Sequence, residues 1–323
     1  MKYGRIPYVD IPASRVAQGC MMLQEDKCEE AFKLLDAVYE AGVTLFDSAH
    51  GYGGGACDRV FGKWVRNRGL RDKVILLDKG CHHDGAVNRV TPQCITSDLN
   101  DCLKNTGFDM IDIFAFHRDD DTQPVGPLVE RLNQHVSEGK IRAFGASNWS
   151  HRRIAEANAY AQANGLMPMA VSSPHYSLAQ CIDDPWGRGS VTITGTGRQA
   201  ARDWYKANQM PLLPWSSLCG GFFSGRYRRD NVHSLAGWAD EHTARCYFSE
   251  FNFRRLERAG ELAKEKGATP ARVALAWMLC GPLNCFPLTA AHNPDEARDN
   301  AAAADLTLTP AEIAWLNLET QSR

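Results

Sequence analysis

The chain has 323 residues, with 36 Lys and Arg against 38 Asp and Glu, and hence a formal net charge of −2. This near-neutral balance excludes the broad basic surface that is typical of nucleic-acid-binding proteins. The longest wholly apolar run covers residues 273–280 and is far shorter than the roughly 20 residues that a membrane-spanning helix needs. Because the N-terminus also lacks the apolar segment of a secretory signal, we expect a cytoplasmic protein that binds neither nucleic acid nor membrane.

The cysteines do not form a recognisable metal or disulfide pattern. There are eleven of them, and no two are spaced as C-x-x-C. An odd number without a secretory signal is typical of reduced thiols that serve as small core residues. Cys81-His82-His83 groups metal-binding residue types, but no second Cys/His pair at zinc-site spacing accompanies it. We therefore predict no metal site.

Short apolar runs alternate with longer segments of helical periodicity along the whole chain. The predicted strands lie, in chain order, near residues 15–20, 43–46, 73–77, 111–116, 141–145, 168–172, 211–215 and 284–287. The predicted helices cover residues 27–41, 56–68, 92–105, 125–138, 151–163, 198–208, 252–267 and 294–304. Since each strand is followed by a helix, the pattern predicts an α/β protein with a (β/α)8 barrel, although a doubly wound sheet shows the same alternation.

No linker, repeat or low-complexity block divides the chain, so we expect one barrel domain over residues 1–323. Two irregular stretches, 173–197 and 216–251, follow predicted strands and would form long loops on the C-terminal face, where barrel enzymes build their active sites. Residues 195–200 match G-x-G-x-x-A, but no acidic residue follows about 20 positions later, so we interpret them as a loop rather than a dinucleotide-binding turn.

Four residues with catalytic potential follow three successive predicted strands. Asp47 comes directly after strand 43–46, and Tyr52 lies five residues further on. Lys79 follows KVILLD, and His117 follows IDIFAF. Each residue alone has an ordinary structural interpretation, as a helix cap, a solvated cation or a satisfied histidine. Because the strand ends of a barrel converge on one mouth, we expect the four side chains to meet in one pocket.

The segments around these residues resemble the aldo-keto reductase family. DSAHGYG is similar to the D-x-A-x-x-Y-G signature of that family, and Lys79 and His117 occupy the positions of its other two catalytic residues. GASNW at 145–149 resembles its G-x-S-N-[FW] motif, the segment 213–227 its aromatic-S-P-L-x-x-G loop, and 293–303 its adenine-side helix. The resemblance implies a (β/α)8 barrel and an NADP(H) cofactor, with NAD(H) as the alternative.

The resemblance also implies a set of cofactor contacts. Ser147 and Asn148 would hold the carboxamide of the nicotinamide, and Trp215 would stack on its ring. Backbone groups in the 213–227 loop would wrap the pyrophosphate, and the N-terminus of the last helix would bind an adenosine phosphate. The other implied contacts are Ser173, Ser216, Leu218, Gly220, Arg226, Ala291, His292, Asn293, Glu296 and Asn300.

Two of these positions depart from the family pattern. Ser173 stands where the family usually has a Gln that grips the amide, and its side chain is shorter. Glu296 stands where many NADPH-using members have an Arg for the 2′-phosphate. A carboxylate would repel that phosphate and would accept hydrogen bonds from a free ribose diol, although His292 and Arg298 lie close enough to supply positive charge.

The chemistry of the tetrad follows from the charge that develops during the reaction. Hydride transfer to a carbonyl builds negative charge on its oxygen, which needs a proton donor. We predict that Tyr52 is the general acid in reduction and the base in oxidation. Lys79 would stabilise the phenolate, and Asp47 would keep Lys79 protonated and aimed. His117 would orient the carbonyl by a hydrogen bond.

The expected mouth of the barrel is polar, with charged or His-rich runs at 81–84, 118–121 and 183–186. Such runs are usually solvated loop tips, but Trp, Asp and His beside a carbonyl site also suit a polyhydroxylated ligand. We predict a small-molecule substrate such as a sugar, a keto-sugar or another small polar carbonyl. Two alternatives stay open: a weakly catalytic, nucleotide-sensing barrel subunit, and a sugar dehydrogenase that works mainly in oxidation with NAD. The sequence does not fix the oligomeric state.

Overall fold

The computed structural model describes residues 1–187, 189–232 and 236–323. Seven parallel strands form one curved sheet, and each strand is paired with its neighbours in the order β8-β7-β6-β5-β4-β3-β9. The strands are β3 (Ala17–Gly19), β4 (Leu45–Asp47), β5 (Ile75–Gly80), β6 (Ile111–Phe116), β7 (Ile141–Ser147), β8 (Val171–Ser173) and β9 (Leu288–Thr289). This order follows the chain from β3 to β8, as a barrel requires.

The segment 211–215 closes the gap between β8 and β9. The Ser172 N–H donates to Pro211 O at 3.0 Å, and the Leu213 N–H donates to Ser172 O at 2.8 Å. On the other side, the Phe286 N–H donates to Leu212 O at 2.7 Å. The segment takes the place of the eighth strand, but isolated bridges hold it instead of the regular strand pairing that we predicted. Its two prolines have no N–H to donate, which interrupts the pairing. The prediction of a barrel is confirmed over the doubly wound sheet.

An antiparallel hairpin that the sequence analysis did not predict precedes the barrel. Its strands are β1 (Tyr3–Ile6) and β2 (Val9–Ser14). Ile6, Val9 and Ala13 belong to the same buried cluster as the inward-facing residues of the barrel strands. The hairpin therefore covers the N-terminal end of the barrel interior with apolar side chains.

Helices surround the sheet. They are α1 (Cys28–Glu40), α2 (Ala56–Arg68), α3 (Pro92–Thr106), α4 (Val125–Ser137), α5 (His151–Ala163), α6 (Gln199–Asn208), α7 (Trp238–Tyr247), α8 (Glu250–Lys266), α9 (Pro270–Cys280), α10 (Pro294–Ala302) and α11 (Pro310–Leu316). None of those in the described ranges is long and apolar enough to cross a membrane. α7, α9 and α11 were missing from the predicted set, and α7 occupies part of the stretch that we expected to be irregular.

Both long excursions leave the sheet at its C-terminal face, after β8 and after the closing segment 211–215. The first covers residues 174–198 up to the start of α6, and the second runs from 216 to α7. Residue 188 of the first and residues 233–235 of the second lie outside the described residues. The described parts of the two excursions lie at the mouth of the barrel, which confirms the prediction of long loops on this face.

Candidate active site

The C-terminal ends of β4, β5 and β6 bring the four predicted catalytic residues together. Asp47 ends β4, Lys79 is the fifth residue of β5, and His117 follows β6 directly. The His117 N–H donates to Gly80 O at 2.8 Å, which extends the pairing of β5 with β6 by one residue. The strand register thus sets the spacing of these side chains.

Lys79 and Asp47 form a buried ion pair. The Lys79 ammonium donates to Asp47 Oδ2 at 2.6 Å and to the backbone oxygen of Ser48 at 2.6 Å. Burial lowers the pKa of Lys79, but Asp47 and Tyr52 outweigh it and hold this pKa above its ordinary value. The ammonium is therefore charged and fixed in position at neutral pH.

Tyr52 lies over this ammonium. It begins a short turn, Tyr52–Gly55, in which Gly53 and Gly54 have φ of +57° and +59°, a region that glycine enters without steric cost. Lys79 Nζ is 5.3 Å from the centroid of the Tyr52 ring. Burial raises the pKa of the Tyr52 phenol, and the positive charges of Lys79 and Arg118 oppose that rise. The site therefore contains a partly buried phenol beside a fixed cation.

His117 completes the group. Its ring centroid is 5.7 Å from that of Tyr52 and 4.7 Å from that of His82, both in edge-to-face arrangements. Burial, together with the charges of Lys79 and Arg118, holds the pKa of His117 well below its ordinary range. The imidazole is neutral at pH 7 and can donate one hydrogen bond from an N–H.

The next strand ends carry a connected set of polar groups centred on Asn148, which has a left-handed backbone at φ +61°. Its amide nitrogen donates to His117 O and to Ser147 Oγ, each at 3.1 Å. Its amide oxygen accepts from the Val191 N–H and from Trp215 Nε1, also at 3.1 Å each. The Asn148 side chain thus joins His117, the indole of Trp215 and the loop after β8.

Ser147 and Ser173 lie beside this amide, both buried. Ser147 Oγ donates to Ser173 O at 2.9 Å. Ser173 Oγ donates to Leu213 O at 2.7 Å, so this hydroxyl contacts the barrel wall rather than the mouth. The structure therefore brings Ser147, Asn148 and Trp215 together and directs the hydroxyl of Ser173 away from them.

The loop after the closing segment brings further predicted residues to the same face. Ser216 has φ +51° and Gly220 has φ +63°. The Gly220 carbonyl accepts from Thr243 Oγ1 at 3.0 Å. A Cβ at Gly220 would lie 2.8 Å from Thr243 Oγ1, so the backbone needs glycine there. Leu218 is partly buried against the core between them.

Arg226 lies at the end of this loop and is already paired. Its guanidinium donates to Asp240 Oδ2 at 2.6 Å, and 59% of its side chain is exposed. The hydrogen bond to Asp240 raises the pKa of Arg226. A phosphate bound there would share this cation with Asp240.

The N-terminus of α10 carries the remaining predicted cofactor residues. Asn293 caps the helix by accepting from the Glu296 N–H at 2.9 Å. The Glu296 carboxylate accepts from the His292 N–H and from Asn293 Nδ2, at 2.9 Å each. Ala291 and Asn300 are buried on either side of this turn. At the predicted anion site, the Glu296 carboxylate therefore already accepts the hydrogen bonds that a phosphate would need.

The run 118–121, for which the sequence left a solvated loop tip and a ligand-facing segment open, is partly buried. Arg118 and Asp120 are 6% and 7% exposed. Arg118 contacts the His117 carbonyl, and Asp120 accepts from Thr122 Oγ1 at 2.6 Å. Sequence reasoning also missed Val191, whose contribution is a backbone N–H and leaves no residue-type signal.

Comparison with known proteins gives the family of the chain. The sequence profile of the Aldo/keto reductase family matches residues 15–317. An uncharacterized oxidoreductase, YrpG, of Bacillus subtilis is 27% identical over 330 residues, covering 98% of this chain and 95% of that protein.

Solved structures show the same fold. The glycerol dehydrogenase AKR11B4 of Gluconobacter oxydans aligns with a TM-score of 0.78 at 20% identity, over 97% of this chain and 93% of that one. An aldo-keto reductase of Klebsiella pneumoniae in complex with NADPH aligns with a TM-score of 0.73 at 20% identity, over 100% of this chain and 97% of that one. With the family profile covering nearly its whole length, this chain belongs to the aldo/keto reductase family.

Proposed function

We propose that this protein transfers a hydride between NADP(H) and the carbonyl or alcohol carbon of a small polar substrate, with Tyr52 as the general acid and base. The observation that carries the proposal is the position of the Tyr52 ring, whose centroid lies 5.3 Å from the buried ammonium of Lys79. That ammonium donates to Asp47 Oδ2 at 2.6 Å. A phenol has an ordinary pKa near 10, so it needs such a cation to exchange a proton readily at neutral pH. The chain's eleven free cysteines support a reducing, cytoplasmic setting.

The residues at the mouth fit a nicotinamide dinucleotide. Asn148 and Ser147 present buried polar groups next to the indole of Trp215, and the loop after the closing segment lies on the same face. Arg226 offers a cation at the edge. When bound, the cofactor supplies or accepts the hydride. Asn148 would exchange the hydrogen bonds of its amide oxygen for contacts to the nicotinamide carboxamide.

The protein's own groups manage the proton and the developing charge. In reduction, the Tyr52 O–H gives its proton to the substrate oxygen, and Lys79 stabilises the phenolate that remains. The neutral His117 donates a hydrogen bond to the same oxygen and so orients the carbonyl. In oxidation, the phenolate takes the proton from the alcohol. The polar loops around His82 and Asp184 favour a hydroxylated substrate, such as a sugar or keto-sugar.

NAD(H) is a second candidate for the cofactor, and one observation favours it. The Glu296 carboxylate lies on the backbone N–H of His292, at the turn where the resemblance assigns the 2′-phosphate of NADPH. A negative charge there disfavours a phosphate and suits a free ribose diol. The proposal of NADP(H) is supported by the solved relative that binds NADPH.

The decisive experiment is turnover by the wild type and the Tyr52→Phe variant, followed by NADPH absorbance with a panel of aldehydes and keto-sugars. We expect Tyr52→Phe to lower kcat by at least about 100-fold, the usual scale of general-acid catalysis, while NADPH still binds. Tyr160→Phe, which removes an exposed hydroxyl bonded to Glu130, is the matched control and should keep wild-type activity. Wild-type turnover by Tyr52→Phe would contradict the assignment of Tyr52.

A further inference from the structure

We propose that Arg118 binds an anionic group of the substrate, a carboxylate or a phosphate, and so selects acidic carbonyl compounds over neutral ones. The inference rests on the proposed function, because it names the class of substrate for the same site. It would make oxyanion-bearing sugars and aldehydes, rather than neutral sugars, the preferred ligands.

Arg118 lies at the mouth, directly after the catalytic His117. Its Nη1 donates to His117 O at 2.9 Å, and its own carbonyl accepts from Trp149 Nε1 at 3.0 Å. The loop after β8 passes over it, since a Cβ at Gly189 would lie 3.5 Å from Arg118 Cδ. The guanidinium is thus held between the tetrad and that loop, and its residue is only 6% exposed.

The charge of this guanidinium has no matching carboxylate within the described ranges. Its one hydrogen bond there goes to the backbone oxygen of His117. The adjacent acids have other partners, since Asp119 pairs with Arg153 at 3.4 Å and Asp120 accepts from Thr122. Asp184 is the acidic group that acts on Arg118 through space, and its carboxylate also accepts from the Trp186 N–H at 3.0 Å.

A buried cation without a paired anion is costly, and it becomes favourable when an anion arrives. Burial lowers the pKa of Arg118, which reflects this cost, but a guanidinium stays charged at any physiological pH. Its planar fork suits carboxylate and phosphate oxygens, which it can bind by two parallel N–H···O bonds. Lys79 is paired with Asp47, so among the described residues Arg118 is the cation acting on Tyr52 that has no paired carboxylate.

The test compares three aldoses that differ at one carbon: D-glucose, D-glucuronate with a carboxylate, and D-glucose 6-phosphate with a phosphate. We expect the wild type to reduce at least one charged sugar with a kcat/KM about tenfold or more above that for D-glucose, the scale of one charge-assisted contact. In Arg118→Gln this ratio of charged to neutral sugar should fall about tenfold, through KM, while Arg118→Lys keeps part of it. Arg198→Gln, which removes an exposed cation elsewhere, is the control for net charge.

A binding measurement separates this inference from the proposed reaction. D-gluconate has the carboxylate but no carbonyl, and with NADPH present it should raise the Tm of the wild type and of Arg198→Gln, but not of Arg118→Gln. Stabilisation by gluconate without turnover of any carbonyl would support the anion site and count against the proposed function. Equal kcat/KM for the neutral and both charged sugars in the wild type, or an unchanged ratio in Arg118→Gln, would overturn the role of Arg118.

Discussion

Two buried carboxyl groups, Asp58 and Asp78, lie close to Lys79. Asp78 Oδ1 accepts from the Lys79 N–H at 2.8 Å, and Asp58 accepts from Ser48 Oγ. Among the described residues, the second oxygen of each has no hydrogen-bond partner, and one ligand atom of each lies within 4.8 Å of the other and of Cys102 Sγ. Burial raises the pKa of both carboxyls. Protonation of one carboxyl lets its free oxygen donate a hydrogen bond and avoids two adjacent negative charges.

This pair predicts a specific pH dependence of stability. A carboxyl whose folded pKa lies above its unfolded value stabilises the fold below the unfolded pKa, and that stability is lost as the pH rises through the folded pKa. Asp78→Asn mimics the protonated form and removes the titration. We therefore expect the free energy of unfolding of the wild type, and with it the Tm, to fall relative to that of Asp78→Asn between pH 5 and pH 9, the free energy by about 1.4 kcal/mol for each unit of raised pKa.

The control for this experiment is Asp109→Asn, which neutralises an exposed acid. Its Tm should stay parallel to that of the wild type over the same range. A constant difference in Tm between Asp78→Asn and the wild type at all pH values would mean that Asp78 does not titrate abnormally.

Glu296 is the second residue whose charge makes a prediction. Its carboxylate covers the N–H of His292, where the resemblance assigns the 2′-phosphate. Glu296→Ala removes that charge and frees the donor, so the ratio of Kd for NADPH to Kd for NADH should fall about tenfold, as Coulomb energies near a surface indicate. Fluorescence titration with both cofactors measures the ratio. Asp10→Ala, which removes an exposed acid from the N-terminal hairpin, should change it little.

The close approach of Asp47, Lys79 and His117 could be predicted from the sequence because each stands at or next to the end of an apolar strand, which is a local signal. The barrel brings such positions together. The burial of Arg118 could not be predicted in the same way. It depends on the approach of Gly189 from a loop far along the chain, and the charge run 118–121 is typical of a solvated tip.

At the scale of elements, α9 shows why one helix was missed. Six of its residues are buried, and its core sequence VALAWM has no polar face, so helical periodicity gives no signal. Its start is nevertheless marked. Thr269 Oγ1 accepts from the Arg272 N–H at 3.1 Å and donates to Asp299 Oδ2 at 2.6 Å, which connects α9 to α10.

This cap predicts the effect of a single substitution. Thr269→Ala removes the acceptor for the Arg272 N–H and the donor to Asp299, and should lower the free energy of unfolding by about 1–2 kcal/mol. Urea denaturation followed by circular dichroism measures the change. Thr269→Ser keeps the hydroxyl and should lose less than half as much, whereas equal losses in both variants would indicate that the methyl group, rather than the cap, is what matters.

At the scale of the whole molecule, the alternation of strands and helices predicts the barrel but not its closure or its base. The seam between β8 and β9 runs through Pro211 and Pro214, which are unfavourable in a central strand by local propensity. The N-terminal hairpin contributes Ile6 and Val9 to the barrel interior, and its strands are too short to show a clear pattern. Both features depend on contacts between segments that lie far apart in the chain.

The helical ring makes a last prediction from two glycines in helix interiors. In α2, a Cβ at Gly62 would lie 2.0 Å from the backbone oxygen of Thr106 in α3, so the two helices touch through their backbones there. In α8, a Cβ at Gly260 would have no atom within 4 Å. Alanine favours a helix over glycine by about 1 kcal/mol, so Gly260→Ala should raise the free energy of unfolding by up to that amount.

Gly62→Ala gains the same propensity but forces α2 away from α3, which opens the packed layer over β4 and β5. Overpacking of this kind costs about 1–3 kcal/mol or more, so the net change should be a loss of stability. Urea denaturation of both variants measures the change in the free energy of unfolding, which should be positive for Gly260→Ala and negative for Gly62→Ala. Stabilisation by both substitutions would show that α2 can move away from α3 freely, and that the ring is not held in register by this contact.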